Sequence, residues 1–246
     1  MDPALYPRMA AVEDTHWWFA ARRAICERMI ARFALPPAAA ILEPGCGTGG
    51  NFAMLARWGK LYAMDDDPAA LSYAGARGIG EIARGHLPDQ IPFDQVSFDL
   101  IVMTDVLEHL DEPARALRAL RERCKPGGRL LITVPAMDWL WSEHDATHHH
   151  RRRYSAAALR GLTEASGFEI DYLSYYNFLL FPVIAGVRLG QRLRRRPAAG
   201  VNGRHDLALP PAMLNAVLLW LFASERHLLG MVRIPFGVSL LMIARA

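Results

Sequence analysis

An acid and three glycines on alternate positions stand together in Glu43-Pro44-Gly45-Cys46-Gly47-Thr48-Gly49-Gly50. Glycines at that spacing let the backbone turn tightly and approach a ligand with no Cβ in the way. Gly45, Gly47 and Gly50 also satisfy G-x-G-x-x-G, which would admit a nicotinamide dinucleotide. Glu43 argues for another ligand, since an acid beside the loop attracts a cationic amine and repels a pyrophosphate. Roughly 20 residues on, where an acid can reach a ribose hydroxyl, the apolar run Leu61-Tyr62-Ala63-Met64 ends in Asp65-Asp66-Asp67.

A second chemical group lies between Trp139 and Tyr154. His144 beside Asp145 is the leading candidate for a general base with its orienting acid, able to take the proton of an acceptor hydroxyl. His109 is the second candidate. Arg152 and Arg153 could clamp an acidic substrate with forked hydrogen bonds, or pair with Glu143, Asp145 or Glu164 as part of a lid. His148-His149-His150 bring a metal to mind. The arginines beside them oppose a cation and no carboxylate pair supports one, so the site is expected to hold no metal.

The elements that would position these groups follow from periodicity. Residues 15–34 read as a helix, with Trp17, Trp18, Ile25, Met29, Ile30 and Phe33 at helical spacing, ended by Pro36-Pro37. Strands at 40–43, 61–65, 80–84, 98–103 and 129–134 alternate with helices at 50–58, 68–76 and 112–124. That alternation predicts a parallel sheet with helices on both faces. A helix from about 155 ends at Gly167, and strands follow at 168–176 and 238–244. About 60 residues separate these last two strands, far beyond a hairpin loop. The insertion carries apolar segments at 178–187 and 213–222, with Arg188, Arg192, Arg194, Arg195 and Arg196 between them.

The glycine loop with its leading acid resembles motif I of the class I S-adenosylmethionine (SAM) dependent methyltransferases. Three further stretches match in that family's order: Leu61–Pro68, Phe98–Leu110 with its Leu107-Glu108-His109 turn, and Lys125-Pro126-Gly127-Gly128 leading into a fifth strand. The resemblance implies a Rossmann-like, seven-stranded, mostly parallel sheet with an antiparallel last strand, an N-terminal cap helix (1–38), a SAM-binding domain (39–176 plus 233–246) and a helical insertion (177–232). It implies that Glu43, Gly45, Cys46, Gly47 and Gly49 hold the amino-acid end of SAM. Asp65, with Asp66 beside it, would take the ribose hydroxyls, and Thr104 and Asp105 would lie under the sulfonium. Arg22 or Arg23 would reach the SAM carboxylate. Where relatives carry an Asp for the adenine amino group, this chain reads Gly85-His86-Leu87-Pro88, so adenine would be held by backbone near His86 and Leu87. A W-S-x-H-D…H-x-R-R-Y pattern, shared with a bacterial subset, marks Trp141, His150, Arg152, Arg153 and Tyr154 as substrate-side positions.

Composition narrows the setting. At 246 residues and 52% apolar the chain can build one full core with embellishments. A formal charge of +3 gives little of the phosphate-binding term that nucleic-acid proteins need. Three cysteines without a C-x-x-C suit a reducing cytoplasm. The start, Met1-Asp2-Pro3-Ala4, does not read as a secretory leader, and no run of about 18 apolar residues predicts a spanning helix. The expected activity is methyl transfer, with oxygen favoured, to a small hydrophobic or lipid-linked acceptor. A nicotinamide-dependent oxidoreductase or epimerase and a non-catalytic SAM-binding scaffold are the alternatives. For the insertion two readings stay open: a peripheral contact of 178–222 with the inner face of an anionic membrane, or a packed helical hairpin at a homodimer interface.

Overall fold

The computed structural model describes residues 5–193 and 207–246; the side chains of His144 and of residues 191–193 lie outside that description. The cluster Arg194, Arg195 and Arg196 and the linker 197–205 also lie outside it. Among the described residues the chain runs α1 (Tyr6–Val12), α2 (Trp17–Ile30), β1 (Ala39–Pro44), α3 (Phe52–Leu55), β2 (Gly59–Asp65), α4 (Pro68–Ala76), β3 (Glu81–Arg84), β4 (Phe98–Thr104), α5 (Pro113–Arg123), β5 (Cys124–Pro135), α6 (Glu143–Thr147), α7 (Ala156–Glu164), β6 (Glu169–Tyr176), α8 (Phe181–Leu193), α9 (Ala212–Ser224) and β7 (Ser239–Arg245).

The strands form a seven-stranded sheet in the order β3-β2-β1-β4-β5-β7-β6. β7 alone runs against its neighbours β5 and β6; the other pairings are parallel. The expected sheet, with its antiparallel last strand, is what the chain forms. The order reverses between β1 and β4, and ligands of such sheets sit outside the carboxyl ends of the strands at that switch point. The central strands are apolar on both faces: Ile41, Leu42, Leu100, Ile101, Val102 and Met103 are all wholly buried. They join a core under α2, α3 and α9 on one side and a core under α5 and α7 on the other.

The first helix region holds two helices where the pattern predicts one. α1 is only two turns, too short for its apolar period to stand out, and it packs Tyr6 and Met9 inward. His16 breaks the chain between the helices and caps α2, its ring accepting from the Trp18 amide at 3.3 Å. Among the described residues the insertion holds two helices, α8 and α9. α9, however, is not a separate layer: it packs on α2, with Phe222 wholly buried and stacked on Tyr176 at 5.8 Å. Asn215 accepts from the Trp17 amide at 2.9 Å and donates to the Thr15 carbonyl at 3.0 Å. The cap and half of the insertion therefore share one core with the sheet. No helix among the described residues is long and apolar enough to cross a membrane.

Candidate active site

The glycine loop leaves β1 at the switch point. Its strain is local: Gly45, Gly47 and Gly49 have φ of 70°, 54° and 82°, where a side chain is disfavoured. A Cβ on Gly45 would also lie 2.7 Å from Val106 Cγ2. The loop is pinned to β2 because the Gly45 and Cys46 amides donate to the Met64 carbonyl at 2.8 and 3.0 Å. Asp65, at the end of β2, accepts from the Gly47 amide at 2.8 Å and the Asp67 amide at 3.1 Å. Both bonds favour its charged form, yet burial outweighs them and pushes the carboxyl up.

Glu43 lies beneath the loop, 2% exposed. Asn51 donates to its Oε1 at 2.7 Å and to Thr104 Oγ1 at 3.0 Å, joining β1 to β4. Oε2 has no hydrogen-bond partner among the described residues. Burial pushes this carboxyl up to about 8, against the lowering effect of Asn51. A buried acid with an unmatched oxygen is matched by a cationic ligand group.

Asp105 sits in the left-handed region at φ 55°. The Thr133 hydroxyl donates to its Oδ1 at 3.1 Å, and Arg22 forms an ion pair with its Oδ2. Arg22 is buried and lies 4.8 Å from the Trp18 ring centroid. The two arginines expected near the SAM carboxylate thus diverge, since Arg23 instead donates to the Asp14 carbonyl at 3.0 Å. Sequence reasoning missed the roof that α1 supplies. Glu13 accepts from Thr48 Oγ1 at 2.5 Å and from Arg77 at 2.6 Å, locking the cap to the loop. His86 bridges to Gln90 in both directions and meets Asp66 at 3.3 Å. An open cleft of about 580 Å³ is lined by Asp66, Arg84, Gly85, His86, Asp89 and Gln90. Leu87 is buried beside it.

On the substrate side, Asp145 is wholly buried and fully engaged. Its described partners lie further along the loop. His150 Nδ1 stands 2.9 Å from Oδ1, and Arg153 forks onto the two oxygens at 2.8 and 3.0 Å. The Ser142 amide adds a fourth contact at 2.8 Å. Burial pushes the Asp145 carboxyl up, but the His150 bond, the Arg153 charge and fork, and Ser142 together hold it well below the usual carboxylate range. Asp145 is one of the acids that the lid reading pairs with these arginines, and it takes Arg153. Arg153 also donates to the Ala136 carbonyl, and Arg152 to the Leu110 carbonyl. The Tyr154 hydroxyl donates to the Leu107 carbonyl at 3.3 Å. Together these bonds tie the loop after β5 to the turn after β4.

That turn brings Glu108 and His109 against His150. The two imidazoles stand edge to face, centroids 4.8 Å apart. Burial, and then His150, lower His109 to about 4, so it is neutral at physiological pH. Trp141 and Trp139 are exposed at the rim, and Trp139 packs on Phe181 of α8.

Comparison with known proteins agrees with this layout. A family model described as a methyltransferase domain matches residues 18–173. A probable S-adenosylmethionine-dependent methyltransferase of Mycolicibacterium smegmatis is 28% identical over 64% of this chain and 62% of its own length. A malonyl-[acyl-carrier protein] O-methyltransferase of Herminiimonas arsenicoxydans is 31% identical over 67% of this chain and 65% of its own. The chain thus spans less than two thirds of the length of these curated relatives. Among solved structures, a complex between the Haloferax volcanii Trm112 methyltransferase activator and the putative methyltransferase aligns with TM-score 0.63 at 20% identity. That alignment covers 99% of this chain and 94% of that one. A putative methyltransferase from Bacillus halodurans aligns with TM-score 0.59 at 19% identity, over 90% and 97% of the two chains. With its family model covering more than half of its residues, and with the sheet and loop expected of it, the chain belongs to the methyltransferase-domain family.

Proposed function

We propose that the chain binds SAM across the glycine loop and transfers its methyl group to an oxygen of a small, hydrophobic or lipid-linked acceptor. The observation that carries the cofactor is the buried Glu43 oxygen left without a partner beneath that loop. An ammonium or sulfonium ligand favours the charged form of this carboxyl and pairs with it, whereas a dinucleotide pyrophosphate brings it no positive charge. Asp65 presents its carboxylate at the end of β2 for the ribose, and Asp105 lies below the sulfonium. Transfer to oxygen is favoured by the imidazoles beyond Asp105. His109 is neutral, and His150 is aligned by a buried acid, a pairing suited to helping a hydroxyl lose its proton. His144 remains in the same loop as a further candidate base.

A hydrophobic acceptor is favoured by exposed apolar side chains. Trp139 and Trp141 are exposed, Trp139 packs on Phe181 of α8, and Val183 and Val187 of α8 and Met213, Val217 and Trp220 of α9 are exposed. We assign this apolar surface, with the arginines that follow α8 in sequence, to peripheral contact with an anionic membrane. The test is incubation of the chain and methyl-labelled SAM with lipid and aqueous extracts, read by mass spectrometry. The expected product carries the label on oxygen in the organic phase. Label confined to nitrogen, or to water-soluble species, would contradict this acceptor.

A further inference from the structure

We propose that Glu108, His109 and His150 form a site for one divalent transition-metal ion of the zinc or cobalt type. One oxygen of Glu108 and one ring nitrogen of each histidine all lie within 4.8 Å of one another. Glu108 is wholly buried, and neither of its oxygens has a hydrogen-bond partner among the described residues. His150 Nε2 lies 4.0 Å from its Oε1. Burial of an unmatched carboxylate is costly unless a charge meets it.

The second observation is the orientation of His150. Asp145 holds Nδ1 at 2.9 Å, so in the neutral ring the proton sits there and the lone pair is on Nε2, 4.0 Å from Glu108 Oε1. A carboxylate behind a histidine in this way fixes ring and tautomer at metal centres generally. Two imidazoles with one carboxylate suit zinc or cobalt better than magnesium or calcium, which take oxygen sets.

The sequence speaks against a metal because three arginines follow the histidines. In the fold their side chains are bound elsewhere: Arg151 to Asp111 and the His109 carbonyl, Arg152 to the Leu110 carbonyl, Arg153 to Asp145. The carboxylate, Glu108, comes from the turn after β4. Resting on the methyl-transfer reading, the ion would lower the pKa of an acceptor hydroxyl placed on it. With the ion bound, both imidazoles serve as ligands rather than bases, so the hydroxyl proton passes to solvent and the oxygen forms its bond to the methyl carbon. The carbon–sulfur bond breaks with its electrons staying on sulfur, leaving neutral S-adenosylhomocysteine.

The experiment titrates the chelator-treated full chain with Zn²⁺ and with Co²⁺, by calorimetry and visible absorption. One ion per chain is expected, with the intense Co²⁺ bands of a four- or five-coordinate site. Glu108→Gln and His109→Ala should each weaken binding at least tenfold while SAM still binds, which shows that the variants are folded. Absence of saturable binding to the wild-type chain, or equal binding by Glu108→Gln, overturns the site. Failure of SAM to bind the wild-type chain would instead sink the methyl-transfer reading, and the ion titration would still be read on its own.

Discussion

His150 Nδ1 and Asp145 Oδ1 stand 2.9 Å apart, with the carboxylate wholly buried and shared with the Arg153 fork. Sequence adjacency points to His144 for Asp145, and the fold adds His150, five residues on. Residue 150 returns to Asp145 because α6 ends and His149 takes a left-handed turn at φ 56°. The His150 amide then donates to the Asp145 carbonyl at 2.8 Å.

Asp145→Asn should therefore destabilise the fold by about 3–5 kcal/mol, the cost of breaking a buried pair, measured by urea unfolding at pH 7. The folded carboxyl lies below its unfolded value of about 3.9. Its contribution is thus fully present above that pH and is lost as pH falls through the folded value, so the gap between wild type and variant should narrow in acid. A gap that is small at pH 7 would remove Asp145 as the anchor of this loop.

Asp65→Ala should weaken SAM binding by about 1.5–3 kcal/mol, the range for a hydrogen bond to a charged group. The same change removes the acceptor of the Gly47 and Asp67 amides. Calorimetry on the folded variant decides: an unchanged dissociation constant would take Asp65 out of the cofactor site.

Glu43 should make stability fall with rising pH. Its folded pKa, about 8, lies above the unfolded value of about 4.3. Between these values the native chain holds the extra proton, so unfolding becomes easier as pH rises, and the penalty is complete above about pH 8. Glu43→Gln should abolish that slope, melting higher than wild type at pH 8.5 while binding SAM more weakly. Parallel melting curves for the two proteins from pH 5 to 8.5 would contradict the raised value.

Ser in place of both Met213 and Trp220, exposed by 83% and 71%, should reduce co-sedimentation with anionic liposomes at low salt without altering SAM affinity. If the wild-type chain does not co-sediment, the membrane assignment fails and the face belongs to a subunit contact.

Local patterns made the sheet legible: Ile41-Leu42 before the glycines, Leu61–Met64 before the acids and the run 98–103 each specify a strand and its exit. The cofactor loop was legible because three glycines leave few conformational alternatives. α1 was not, since seven residues carry too little period, and so the Glu13–Thr48 lock went unseen. Asn51 follows the glycines directly, and its place after the loop was the available signal for a polar residue joining Glu43 to Thr104. The Glu108–His150 approach joins the turn after β4 to the loop after β5, and no local pattern encodes such a pairing.

The central claim is that the glycine loop and Glu43 select a cationic sulfonium cofactor. Side-by-side calorimetry of the wild-type chain with SAM and with NAD tests it most directly. The account predicts saturable binding of one SAM per chain and no binding of NAD. Binding of NAD with no heat from SAM would contradict it.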